Sequence, residues 1–222
     1  MASALTSVEV FHLGPVVITR PVLVTWAIMA GMTLVCRLAT RRLALRPDRR
    51  QAAIELLIGG VMGQIEDVVG ADPRPFLTLL GTLFLFLMVA NLSGLIPGIE
   101  APTATLETPA ALALTVFFAS HFYGIRSRGL FGHLAGYAKP KLIMLPLNLL
   151  SEITRHFSLM VRLFGNVMSG EFVIAMVIAL AGLLVPVPLM ALEILVGIVQ
   201  AYIFTILATV FIAAAVHGGE GA

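Results

Sequence analysis

Six polar residues, Ser151, Arg155, Ser158, Arg162, Asn166 and Ser169, interrupt an apolar stretch at steps of four, three, four, four and three. On an α-helix they fall within about 80° of one face. Serine and asparagine alone could form a buried seam that glues helices together. Arginine demands more. Its guanidinium stays charged in any surroundings, and a charged side chain at mid-membrane costs roughly 2.5–3.5 kcal/mol on insertion scales. Arg162 therefore needs an anionic partner, and no acid lies within one turn of it. The pattern points to a partner on another chain.

A second row, Glu193, Gly197, Gln200 and Phe204, recurs at steps of four, three and four. If the chain folds back at Pro186, Gln200 faces the arginine stripe. Glu171 and Glu193 then lie within about 23 Å of that turn by helical rise, on the outward half, while Glu152 and His156 lie towards the inward end. Acids in two offset groups with a fixed cation between them suit a two-part aqueous pathway for an ion. Each carboxylate taken singly could instead be an interfacial residue that snorkels to water.

The elements that position these residues must be membrane helices. Hydrophobic residues make up 59% and charged residues 12% of the 222-residue chain, and the mean hydropathy is +1.01. Ordinary soluble domains have a quite different balance, and a spanning helix takes about 20 apolar residues. Five or six such segments fill the chain and leave no room for a soluble catalytic domain. The net charge of +2 does not indicate nucleic acid, because the basic residues cluster in short connections, as membrane orientation requires. All Lys and Arg except Arg20, Arg155 and Arg162 fall on the cytoplasmic side if the N-terminus is outside. The apolar run after Pro21 ends in arginines rather than a cleavage site, so it reads as a retained anchor.

The predicted fold is an all-α membrane protein, a single domain over 1–222. Spans are expected at 15–36, 76–96 and 108–125, with an amphipathic interfacial helix at 51–70. Ile54, Leu57, Ile58, Val61, Ile65 and Val68 line that helix's apolar face. Arg37, Arg41, Arg42, Arg46, Arg49 and Arg50 mark one cytoplasmic connection, and Arg126, Arg128, Lys139 and Lys141 another. Residues 142–185 would extend about 66 Å as a helix against a hydrocarbon core of about 30 Å. Two spans or one steeply tilted helix could satisfy that length. The absence of a turn-forming cluster favours the tilted helix, with Gly165 and Gly170 easing a bend. A last helix at 189–216 completes a C-terminal hairpin.

Further motifs resemble the a subunits of F-type ATP synthases, over about Arg46 to His217. Asn91-Leu-Ser-Gly-Leu-Ile-Pro-Gly98 is similar to the family's N-L-x-G-L-I-P-G segment, and Pro102-Thr103-Ala104 with Ala111-Leu-Ala-Leu114 to the region that follows it. Arg162-Leu-Phe-Gly-Asn166 matches the R-L-F-G-N signature, and Gln200-Ala-Tyr-Ile-Phe204 matches Q-A-x-I-F. The resemblance implies that Arg162 is the stator arginine, that Asn166 and Gln200 neighbour it, and that Glu171 and Glu193 line an outer half-channel. Glu152, Arg155, His156 and Ser158 are candidates for the inner half-channel.

The implied role is an ion-translocating subunit without a nucleotide-hydrolysing site. Its implied partners are a c-ring, the subunit b peripheral stalk, the F1 sector and membrane lipid, in a bacterial or archaeal cell membrane with the C-terminus cytoplasmic. The ion is a proton or, alternatively, sodium. The family's frequent aspartate is Thr105 here, and its lysine-proline reads Arg155-His156. The short N-terminus, Arg155-His156-Phe157 and Leu184-Val-Pro-Val-Pro-Leu-Met190 look closer to the family's N-type branch, whose members often move sodium. A secondary transporter that binds an anion at Arg155 and Arg162 is the rival reading. No cofactor is implied. Cys36 is the single cysteine, which excludes an internal disulfide. The histidines His121, His133, His156 and His217 show no metal-ligand spacing, and they read as packing or interfacial residues.

Overall fold

The computed structural model describes residues 9–13, 16–41, 49–70, 72–96, 101–137, 143, 145–182 and 185–218. Pro15, Arg42, Arg46, Pro97, Gly98, Lys139, Lys141, Leu142 and Leu184, used above to delimit elements, lie outside the described residues. The fold is helical, as the composition requires. Among the described residues, five helices are long and apolar enough to cross a membrane: α1 (Arg20–Ala39), α3 (Arg74–Ser93), α4 (Glu107–Tyr137), α5 (Leu145–Ala181) and α6 (Val187–His217). Between the first two runs α2 (Arg49–Val69). It buries Ile65 and Val69 against α3 and α6 and leaves Leu56, Glu66 and Asp67 exposed.

The first span begins later than the expected residue 15. Val16–Thr19 (β2) instead pairs antiparallel with Glu9–Leu13 (β1), which suits a run rich in β-branched residues. The helix starts at Arg20 with Pro21 in its first turn, where a missing N–H costs nothing.

The helix expected at 108–125 continues to Tyr137, with a sharp break on the way. Gly129 adopts φ 73° and ψ 163°, a conformation open to glycine and strained for any other residue. A straight helix of 31 residues would measure about 46 Å, whereas the part before the break spans about 33 Å, close to the hydrocarbon thickness.

The stretch expected either as two spans or as one long helix is one helix. α5 runs through 37 residues without interruption at Gly165 or Gly170, about 56 Å by helical rise. It therefore lies well off the membrane normal. Gly182, at φ 80°, and Pro186 make the turn into α6.

Leu80, Leu83, Leu87 and Ala90 of α3, Val116 of α4 and Ala201, Phe204, Ala208 and Ile212 of α6 form the core with Leu159, Leu163 and Val167 of α5. α6 packs most extensively against α4 and α3, and α5 against α4. The four-residue spacing of Leu159, Leu163 and Val167 seats one face of α5 in the bundle. Ser158, Arg162 and Asn166 each precede one of them, so they are turned about 100° away.

Candidate functional site

The arginine stripe faces outward. Arg155, Ser158, Arg162 and Asn166 are all exposed although they sit along the middle of a membrane-length helix. Ser151, Arg155, Ser158 and Arg162 line a groove of about 510 Å³, closed on its far side by Leu207 and Phe211 of α6. Among the described residues no carboxylate forms an ion pair with Arg162. Lipid solvates such a cation poorly, so an exposed arginine along this groove calls for an anionic or aqueous partner.

Beside Arg162 the stripe is tied to α6. Asn166 Nδ2 donates to Gln200 Oε1 at 2.8 Å. Gln200 is 2% exposed, and among the described residues its Nε2 finds no acceptor. The expectation that α6 presents Gln200 to α5 is met by this geometry.

Further along α5, Glu171 and Glu193 line one cavity of about 150 Å³ together with Asn91, Gly94 and Met190. Glu171 Oε1 accepts the Ala101 N–H at 3.2 Å. Glu193 lies flat against Gly170, where any added Cβ would overlap its carboxylate. The absent side chain is thus what admits Glu193 to the cavity.

In the sequence Asn91 stands out only as part of a motif, yet it braces this region. Its Nδ2 donates to the Gly197 carbonyl at 3.0 Å, and its Oδ1 accepts from Thr103 Oγ1 at 3.0 Å. Both Asn91 and Thr103 are buried. The bonds join α3, the 3-10 turn Pro102–Ala104 and α6. An asparagine in an otherwise apolar span was the available signal.

The four inner candidates do not share one site. Arg155 and Ser158 line the groove, whereas Glu152 and His156 turn towards α4. Glu152 Oε1 lies 3.9 Å from His121 Nδ1. His156 is buried, with Nδ1 donating to the Glu152 carbonyl at 2.9 Å and its ring between Phe117 and Phe211. His121 and His133 of α4, read above as packing residues, stand together with ring centroids 5.3 Å apart.

Comparison with known proteins gives this arrangement a context. Residues 22–213 match the family model described as ATP synthase A chain. The chain is 70% identical over 215 residues to "ATP synthase subunit a 2" of Bradyrhizobium sp. (strain BTAi1 / ATCC BAA-1182), covering 97% of this chain and 96% of that protein. It is 46% identical to "ATP synthase subunit a" of Albidiferax ferrireducens, over 87% of this chain and 85% of that one. Identity to "ATP synthase subunit a 1" of Hahella chejuensis is 44%, over 93% and 88%.

Proposed function

The chain belongs to the ATP synthase A chain family, the ion-translocating stator of an ATP synthase membrane sector, and we propose that Arg162 is the fixed cation past which a ring of partner helices carries its ionised carboxylates. It is a multi-pass bacterial membrane protein and part of an ATP synthase complex. The observation that carries the proposal is a mid-helix arginine that is exposed and without a carboxylate partner among the described residues. A ring carboxylate arriving at the groove supplies the missing anion.

The mechanism is transfer of an ion without a covalent intermediate. A neutral ring site gives up its ion to one half-pathway, passes Arg162 as an anion, and is reloaded from the other. Attraction between the two charges, about 4 kcal/mol at 4 Å and an effective dielectric of 20, favours the ionised carboxylate at that point. The same cation repels protons and sodium ions, so none crosses directly between the half-pathways. Membrane potential is then converted into torque, because the ion must ride the ring round.

Asn166 and Gln200 steady the arginine's surroundings. Glu171 and Glu193 form the outer half-pathway. Arg155 and Ser158 of the groove, with Glu152 and His156 behind it, belong to the inner one. The N-terminus is outside and the C-terminus cytoplasmic. The peripheral stalk b subunit holds the chain still against the ring. This chain hydrolyses no nucleotide, a task left to the F1 sector.

The test is Arg162→Ala in the assembled complex. Ion-coupled synthesis and ATP-driven pumping should be abolished while assembly and the soluble sector's hydrolysis survive. Arg162→Lys should rescue poorly, since an ammonium is a compact, strongly hydrated charge without the guanidinium fork. Pumping by Arg162→Ala at the parent rate would overturn the proposal.

A further inference from the structure

Behind the arginine groove, the break at Gly129 folds α4 back on itself. His133 packs so closely on Gly124 that a Cβ there would overlap its ring. His133 thereby meets His121, which in turn stands beside Glu152. Phe117 packs against both His121 and His156, at ring-centroid distances of 4.3 and 5.1 Å. Three imidazoles and one carboxylate thus gather between α4 and α5. Along α5, His156 and Glu152 lie about 9 and about 15 Å from Arg162, on the opposite side from Glu171.

The hydrogen bonds define where a proton can be added. The Phe117 carbonyl can only accept, so His121 Nδ1, 2.9 Å away, carries the hydrogen and Nε2 is the basic nitrogen of the neutral ring. His156 is arranged in the same way on the Glu152 carbonyl. Its Nε2 is buried and has no hydrogen-bond partner among the described residues. The side chains of His121 and Glu152 are 27% and 18% exposed, enough to exchange with water, whereas His156 is sealed in. Phe211 separates His156 from the groove, since it touches the imidazole and also lines the space beside Arg162.

We propose that His121, Glu152 and His156, with His133 packed against His121, form a proton-collecting cluster on the inner half-pathway, and that the ion handled there is the proton. This rests on the stator reading above and adds two α4 histidines to it. Imidazole nitrogen suits a proton, while sodium calls for a shell of oxygen ligands. A proton added to an Nε2 lone pair leaves from the same nitrogen, and no other bond is made or broken. Arg128 of α4 and, from the groove side of α5, Arg155 are the other charged groups near enough to act on the cluster, and α6 contributes Phe211.

The experiment is ATP-driven pumping by the whole complex in inverted vesicles, with bath pH raised from about 6 to about 9 across the imidazole range. His121→Gln and His156→Gln should pump about tenfold more slowly than the parent at the alkaline end and more nearly normally at the acid end, a modest part of what a positioned proton carrier contributes. Added imidazole should restore part of the rate to His121→Ala. If His156→Gln fails to assemble, His121→Gln alters only a partly exposed ring and carries the test. Rate-against-pH curves that superimpose on the parent's overturn the proposal. So does a pH-independent loss without imidazole rescue, or a loss that follows bath sodium instead of pH. Arg162→Ala in parallel separates the two readings: if it is inactive while the histidine variants pump normally, the cluster alone is refuted, and if it pumps normally the stator reading falls.

Discussion

Asn166 donates to Gln200 across 2.8 Å, and this bond links the exposed stripe of α5 to the buried face of α6. A neutral hydrogen bond of this kind is worth about 1 kcal/mol net, roughly a factor of five in an equilibrium. Gln200→Leu should therefore slow ion-driven synthesis by about that factor while the complex still assembles, in contrast to the abolition expected for Arg162→Ala. Synthesis rates in reconstituted vesicles decide the matter. A null effect would mean that Asn166 needs no anchor.

Glu171 and Glu193 share one small cavity but come from opposite arms of the hairpin. Glu171→Gln and Glu193→Gln should each slow synthesis and alter its dependence on external pH or sodium, with the seal at Arg162 intact. Both ions are to be varied separately on the outer side. If the two single variants and the double variant follow the parent throughout, ions do not pass this way.

Asn91 holds the wall of the same cavity through Thr103 and Gly197. Asn91→Leu keeps the branched shape and strips both bonds, leaving the buried Thr103 hydroxyl without this acceptor at a cost of about 1–3 kcal/mol. A lower melting temperature of the purified complex should accompany weaker coupling. Asn91→Asp, which still accepts from Thr103, should recover part of the stability. An unchanged melting temperature for Asn91→Leu would show that the brace is idle.

The proposed orientation is open to labelling. With exposed Cys36 replaced, Ser127→Cys, near the end of the membrane-crossing part of α4, should react with an impermeant reagent in inverted vesicles and stay protected in intact cells. A cysteine at Leu45, in the first basic connection, should behave likewise. The opposite pattern at both sites would reverse the topology.

Much of the groove was legible because helical periodicity acts within one segment. Arg155, Ser158, Arg162 and Asn166 must share a face wherever α5 lies, and their lack of a nearby acid is visible in the chain itself. The meeting of His121 with His133 was not legible. It depends on one positive φ at Gly129, which nothing in the residues around it announces. The split between Arg155 and His156 was hidden for a related reason: neighbours in sequence project about 100° apart, and only the position of α4 reveals what each one meets. The early start of the first span failed on local competition, because Val16–Thr19 found a strand partner in Glu9–Leu13. Asn91 is visible as a motif, but its partner Gly197 lies far along the chain.

α1 stands apart in one respect, since Pro21 is its only buried residue and Leu23, Trp26, Met29, Leu34, Val35 and Leu38 all face away from the bundle. During synthesis it can leave the translocon for lipid as a finished unit, because no contact it makes is needed to mask a polar group. α6 is in the opposite position. Thr205 and Thr209 bond to carbonyls of α6 itself, but the buried Gln200 takes its hydrogen bond from Asn166 and is satisfied only after α5 has arrived. Biogenesis of this chain therefore has a natural order, with the hairpin arm that steadies the arginine joining last.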